Sequence, residues 1–205
     1  MYYGTPGSGY PYEWSIYPWF QGDLLDMGCD EPAVGTQIAA FLTELRSFPT
    51  EGAPESGRSP HALDADVRKC LAQLNDEDRR DDLERIWNAM MATPPWDGTG
   101  AVWMHGDVAP GNMIFRDGRL VAAIDWSGLG VGDPARDLQV AWNMLTGEAR
   151  LAFREEMQVD DFTWERARAR AFAQASFQLP YYRDTFPNLA RQATYVFAEI
   201  VAEFE

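Results

Sequence analysis

Lysine is almost missing from this chain: Lys69 is the only one, and arginine carries nearly all the positive charge. Basic residues are scarce altogether, 17 Lys and Arg against 32 Asp and Glu, for a formal net charge of −15. Nucleic-acid binders meet phosphate backbones with basic stripes, and the absence of one argues against a nucleic-acid partner. Cysteine is limited to Cys29 and Cys70. Two separated thiols make neither a disulfide framework nor a metal cluster, which fits a reducing compartment. Long apolar runs are lacking too, and none approaches the roughly 20 residues that cross a bilayer. The N-terminal MYYGTPGSGYPYEW has no basic region followed by an apolar core, so it does not read as a signal peptide. Together these absences predict a cytoplasmic protein with no membrane partner.

What is present is ordinary for a folded domain. Hydrophobic residues make up 46% of the 205 positions, enough to bury a real core in one large domain or two small ones. The surplus of acid keeps the surface hydrated and favours cationic ligands or metal ions.

Periodicity divides the chain. The first dozen residues, rich in Gly, Pro and Tyr, read as an irregular lead-in, and Trp14 to Phe20 as an aromatic strand. Ile38, Phe41, Leu42 and Leu45 recur at helical spacing from Pro32 until Pro49 stops the pattern. TEGAPESGRSPH reads as a surface loop and the clearest candidate linker. Two more helices carry the faces Val67, Cys70, Leu71, Leu74 and Leu83, Ile86, Trp87, Met90. DEDRRDDLER between them reads as a solvated, mixed-charge helix start. AVWM, NMIF and LVAAI then form three short strands, the last two joined by the hairpin signal Asp117-Gly118. Helices are predicted over Pro134 to Leu145, Glu148 to Met157, Thr163 to Leu179 and Asn188 to Phe204. The fold class is therefore α+β, mainly helical, with a small β insertion near the middle.

Polar residues sit on the rims of that insertion. His105-Gly106-Asp107 follows a strand, and Asn112 comes one short loop later, after the bend signal Pro110-Gly111. A loop of the form D-x-x-x-x-N presents a carboxylate and an amide oxygen to one pocket. Asp125 ends the next hairpin, and strand pairing returns it beside that loop. Three oxygen-bearing side chains converging in this way suit a hard cation such as Mg²⁺. Phosphoryl transfer needs this equipment: a carboxylate for the acceptor hydroxyl, and an amide and a carboxylate for the metal. His105 is expected to brace the loop through hydrogen bonds rather than transfer protons. Asp133, just before Pro134, suits a helix N-cap.

HGDVAPGN, IDWSG and GDPARDL, in this order and spacing, resemble the H-G-D-x-x-x-x-N, I-D-[FW] and G-D-P-x-x-D-L blocks of the aminoglycoside phosphotransferase family. YPYEWSIYPWFQGD and QLPYYRDTFPNLA resemble its entry to the large lobe and its late helical region, so the similarity covers nearly the whole chain. The resemblance implies a protein-kinase-like fold, here the C-terminal lobe with a β-hairpin insertion carrying the catalytic loop. It implies transfer of a phosphoryl group from ATP (or GTP) to a hydroxyl of a small molecule, and a cationic acceptor fits the acidic balance. It makes Asp107 the catalytic base, Asn112 and Asp125 the Mg²⁺ ligands, and backbone groups around Trp19, Phe20 and Gln21 the adenine contacts. Asp137 is expected to pin the catalytic loop through backbone amides, with His105 and Asp133 as further structural support.

Two features depart from the family pattern. The triplet after the metal aspartate is Asp125-Trp126-Ser127, with Gly128 one place late. A small lobe with a glycine-rich phosphate loop and a strand lysine has no counterpart, because Lys69 falls in a helix after the hinge. Residues 1–23 thus read as a hinge strand and lead-in from that lobe, and 24–205 as the helical lobe. Weak activity of this chain alone is the expectation, the alternative being a kinase-like remnant that binds without transfer.

Overall fold

A computed structural model describes residues 1–75 and 78–205. Asp76 and Glu77, which open the DEDRRDDLER run, lie outside the described residues.

The lead-in is more ordered than its composition suggests. Strand β1 (Tyr2–Gly4) pairs antiparallel with β2 (Trp14–Ile16), Gly4 opposite Trp14. The expected strand over Trp14 to Phe20 therefore ends at Ile16, and the run to Gln21 has no regular structure. Pro18 explains the stop, since it offers no N–H to a ladder. A two-residue β3 (Asp23–Leu24) follows.

Helix α1 (Pro32–Arg46) starts with proline in its first turn, where the missing N–H costs nothing, and buries Val34, Ile38 and Leu42 at i, i+4, i+8. The loop from Thr50 to His61 is not a linker. Its Ser56 N–H donates to the Val131 carbonyl at 2.9 Å, and Pro54 accepts from the Val131 N–H at 2.8 Å. Helix α2 (Asp64–Leu71) buries Val67 and Leu71 of its expected face, leaves Cys70 half-buried and ends before Leu74, whereas α3 (Arg80–Met90) buries all of Leu83, Ile86, Trp87 and Met90.

The β insertion contains β4 (Val102–Met104), β5 (Met113–Arg116), β6 (Arg119–Ala123) and β7 (Gly130–Gly132). The sheet order is β3-β5-β6, and β4 pairs separately with β7. Asp117 and Gly118 both have positive φ (51° and 73°), the two-residue hairpin turn their identities call for. Strand β7 was invisible in the sequence because Gly-Val-Gly has almost no side chains to alternate.

The expected helix over Pro134 to Leu145 is two short ones, α4 (Ala135–Leu138) and α5 (Val140–Asn143). They meet at Gln139, whose N–H reaches the Arg136 carbonyl only three residues back, a 3₁₀ step. Three helices complete the chain: α6 (Gly147–Met157), α7 (Asp161–Tyr182) and α8 (Pro187–Ala202). No helix among the described residues is long and apolar enough to cross a membrane.

Helix α7 is the spine. Its alanines 167, 169, 171, 173 and 175 are buried on several faces, as in a helix surrounded by others. Trp87 stacks on Phe172 at 5.3 Å, and its indole N–H donates to Asp64 at 2.7 Å, so the ring is buried with its polar atom satisfied. Pro180 lies in the last turn, and the helix runs past it to Tyr182. At the other end Asp160 accepts from the Thr163 N–H (2.9 Å) and hydroxyl (2.7 Å), an N-cap. These bonds, the hydroxyl's first, hold the Asp160 carboxyl below the ordinary aspartate range. Asp160→Ala should cost about 1 kcal/mol at neutral pH. Because the folded-state value is the lower one, this contribution is complete above the unfolded aspartate value near pH ~4 and is lost as pH falls through the folded value. Urea midpoints that differ equally at both ends of this range would argue against the cap.

Candidate active site

Strand β4 delivers His105, Gly106 and Asp107 into the interior. The Asp137 carboxylate, fully buried in α4, accepts from the His105 N–H at 2.7 Å with Oδ2 and from the Gly106 N–H at 2.8 Å with Oδ1. Burial pushes its carboxyl up from the ordinary range, against the pull of the two amides and the nearby Arg46 guanidinium. Gly106 has φ +88°, and a Cβ there would stand 2.3 Å from the Gly128 carbonyl oxygen. Only glycine fits this crossing of the two loops.

The loop then folds on itself. Asn112, closing a 3₁₀ turn over Pro110–Asn112, donates through Nδ2 to both the backbone oxygen and Oδ2 of Asp107, each at 2.9 Å. Asp107 Oδ1 and Asn112 Oδ1 have no hydrogen-bond partner among the described residues. Asn143 Nδ2 donates to the Val108 carbonyl at 3.1 Å, and Arg136 Nε to the Gly106 carbonyl at 3.1 Å.

Ile124 couples this loop to Asp125. Its N–H donates to the Asn112 carbonyl at 2.9 Å, extending the β5–β6 ladder, and its carbonyl accepts from His105 Nε2 at 2.9 Å. A carbonyl can only accept, so Nε2 carries the proton and Nδ1 is left to receive the Asp107 N–H at 3.3 Å. His105 is fully buried and bonded at both ring nitrogens. Asp125 itself is exposed at φ 60°, a left-handed conformation that aspartate tolerates. Its Oδ1 accepts from the Ser127 hydroxyl at 2.7 Å, which with the Ser127 N–H holds its carboxyl below the ordinary range. Trp126 packs against His105 with ring centroids 4.6 Å apart.

The structure thus brings Asp107 and Asn112 into direct contact and ties Asp125 to them through one residue of backbone. Asp133 accepts from the Ala135 N–H at 3.0 Å and also pairs with Arg166 at 2.9 Å in a largely buried bridge. Trp19, Phe20 and Gln21 stand apart on the surface, Trp19 being 86% exposed, where the chain enters β3 beside β5. Among the described residues no three His, Cys, Asp or Glu side chains cluster to hold a metal. The donors available are Asn112 Oδ1 and the Asp125 carboxylate. This all-oxygen set fits Mg²⁺, which takes one or two carboxylates and completes its shell with phosphate oxygens and water.

A cleft of about 650 Å³ opens on Asp107 and Asn112, walled by α7 and α8. Arg136 and Arg170 line it, and neither was among the residues expected from sequence. The available signal was Arg166, Arg168 and Arg170 alternating with alanine, charges inside a helix otherwise patterned for burial.

A sequence model described as the phosphotransferase enzyme family matches residues 1–172. An aminoglycoside 3'-phosphotransferase of Salmonella typhimurium is 31% identical over 114 residues, 53% of this chain and 42% of its own length. One from Escherichia coli matches to the same extent. The chain thus spans about half the length or less of these relatives. Among solved structures, an aminoglycoside 2'-phosphotransferase-IIIa in complex with GDP superposes with TM-score 0.66 at 20% identity, over 100% of this chain and 75% of that one. A macrolide 2'-phosphotransferase from Brachybacterium faecium gives TM-score 0.53 at 21% identity, over 88% and 68%. The mainly helical α+β architecture is the protein-kinase-like one of these enzymes.

Proposed function

Because the chain belongs to the phosphotransferase enzyme family, we propose that it moves a phosphoryl group from ATP or GTP to a hydroxyl of a small molecule. The observation that carries this reading is the Asp107–Asn112 pair at the mouth of the cleft. Oδ2 of Asp107 is fixed by the Asn112 amide, which leaves Oδ1 to accept the proton of an acceptor hydroxyl. As the new O–P bond forms, the bond from phosphorus to the nucleoside diphosphate breaks and the proton passes to Oδ1. Catalysis of such a transfer rests on positioning together with electrostatic stabilisation. Five of the six backbone N–H and C=O groups of residues 105–107, all but the His105 carbonyl, are held by Asp137, Arg136, Asn112 or the His105 ring.

Asn112 Oδ1 and the Asp125 carboxylate would hold Mg²⁺, which neutralises charge on the transferring phosphate when bound. The lowered carboxyl of Asp125 suits it, since a ligand must be ionised. Backbone groups from Trp19 to Gln21 would take the base, a reading supported by their lead into β3, next to the strand β5 that starts directly after Asn112. The neighbour solved with GDP supports a nucleotide donor.

Calorimetric titration with ATP and GTP, with Mg²⁺ and with EDTA, tests this assignment. Affinity should depend on Mg²⁺, and Asp125→Asn should weaken it by about tenfold or more, the loss typical even of an outer-shell partner. Equal binding in EDTA, or no binding of either nucleotide, would favour a remnant without transfer.

A further inference from the structure

The net charge of −15 sets the field of the whole molecule, but the cleft behind Asp107 departs from it. Its charged lining consists of Arg58, Arg136, Arg170 and Asp107. Arg58 is paired with Asp66 at 3.0 Å on the exposed rim. Arg136 and Arg170 have no carboxylate within ion-pairing distance among the described residues. Arg136 is held in place by the Gly106 carbonyl at 3.1 Å and by Ser56 Oγ at 3.5 Å. Gly57, at φ +84°, passes so close that a Cβ there would stand 2.2 Å from its Nη1. Arg170 projects from α7, and its buried Nε has no hydrogen-bond partner. Burial, with Arg136 beside it, pushes the Arg170 guanidinium down to about 10, and Asp107 opposes the shift.

Two half-buried guanidiniums in a cleft whose lining carries one carboxylate, bonded to neither, form an under-compensated positive site. A bound anion relieves such a site, because guanidinium matches carboxylate and phosphate with directed, charge-assisted bonds. The glutamines 174, 178 and 192 on the same walls are neutral and add no acid that would welcome ammonium groups. A polycation here would set like charge against like, at a cost that disfavours it. We propose that the acceptor taken by this cleft carries an anionic group, a carboxylate or a phosphate ester, which Arg136 and Arg170 hold while its hydroxyl faces Asp107. The assignment rests on the phosphotransfer reading above and narrows its substrate class.

Calorimetric titration of the chain with D-glycerate, glycerol 3-phosphate and polycationic kanamycin tests it, repeated with a saturating non-hydrolysable ATP analogue and Mg²⁺. At least one anion should bind tenfold or more tightly than kanamycin, and the two anions distinguish carboxylate from phosphate. Arg136→Gln and Arg170→Gln should each weaken that anion at least tenfold, and Arg170→Lys should recover part of the loss. Should the arginine variants fail to fold, Gln174→Glu serves instead: it should weaken the anion and favour kanamycin. Tighter binding of kanamycin, indifference of the anion to all these changes, or its displacement by the nucleotide analogue would each overturn the inference. Binding is read without turnover, so the two readings fail separately. Kanamycin phosphorylated with no anion bound removes this one alone, whereas an anion bound and never phosphorylated counts against transfer.

Discussion

Replacing Asp107 with asparagine should lower kcat for phosphoryl transfer by roughly 10²- to 10⁴-fold, the usual contribution of a positioned general base. That corresponds to about 3–5 kcal/mol of transition-state stabilisation. Among the described residues the carboxylate is the only acid lining the cleft, so none of the other lining residues can take the acceptor proton in its place. The side chain keeps its size, and if Asp107 faces the acceptor as proposed above, nucleotide affinity should be unchanged. Consequently kcat and kcat/KM should fall together, the pattern of an interaction made only in the transition state. A coupled assay for nucleoside diphosphate release, run beside mass spectrometry of the acceptor, measures both. Turnover within twofold of the unaltered chain would remove Asp107 from the chemistry.

Asp137→Ala should give the largest loss of stability, roughly 2–5 kcal/mol in urea denaturation at neutral pH. The carboxylate is fully buried and is the acceptor for two adjacent backbone amides, those of His105 and Gly106. Removing it strands both donors away from water and leaves the half-buried Arg46 guanidinium without a counter-charge it draws on. Against a typical domain stability of about 5–15 kcal/mol the loss is severe. Asp137→Asn keeps one acceptor oxygen and turns an NH₂ toward the other amide, so it should fall between the parent and the alanine variant. The same substitutions should reduce turnover more than their stability loss explains, since they free the loop that aims Asp107. An alanine variant within 0.5 kcal/mol of the parent would mean that water replaces the carboxylate, and that the loop is held by other means.

Sequence patterning reaches a good part of this structure for a physical reason. Helices α1, α2, α3 and α8 bury one face each, so a period near 3.6 is written in their side chains. The β5–β6 hairpin was equally readable, because Asp117-Gly118 permits the two positive φ values its turn requires. Elements without side-chain contrast were not readable. Gly130-Val131-Gly132 becomes a strand only because β4 and the Pro54–Ser56 segment supply partners on its edges. Tyr2–Gly4 likewise becomes a strand through its ladder with Trp14–Ile16. The Pro134–Leu145 helix breaks at Gln139 for a reason no local propensity carries: the chain must turn Asp137 toward the loop after β4 while α5 packs against α7 and α8.

By itself the sequence determined the family, the helical faces and the identity of the polar residues at Asp107, Asn112 and Asp125, because these are properties of residue type at fixed spacing. Tertiary structure alone decided how they meet. Ile124 joins Asn112 to the His105 ring through its own backbone N–H and carbonyl, which no side-chain pattern encodes. It also decided the character of the cleft. Arg136 and Arg170 come from different helices of an acidic chain, and their charge appears as one site only where α4 and α7 pack together. Net charge adds over the whole sequence, but a ligand responds to the few charges within a screening length, and those are chosen by the fold.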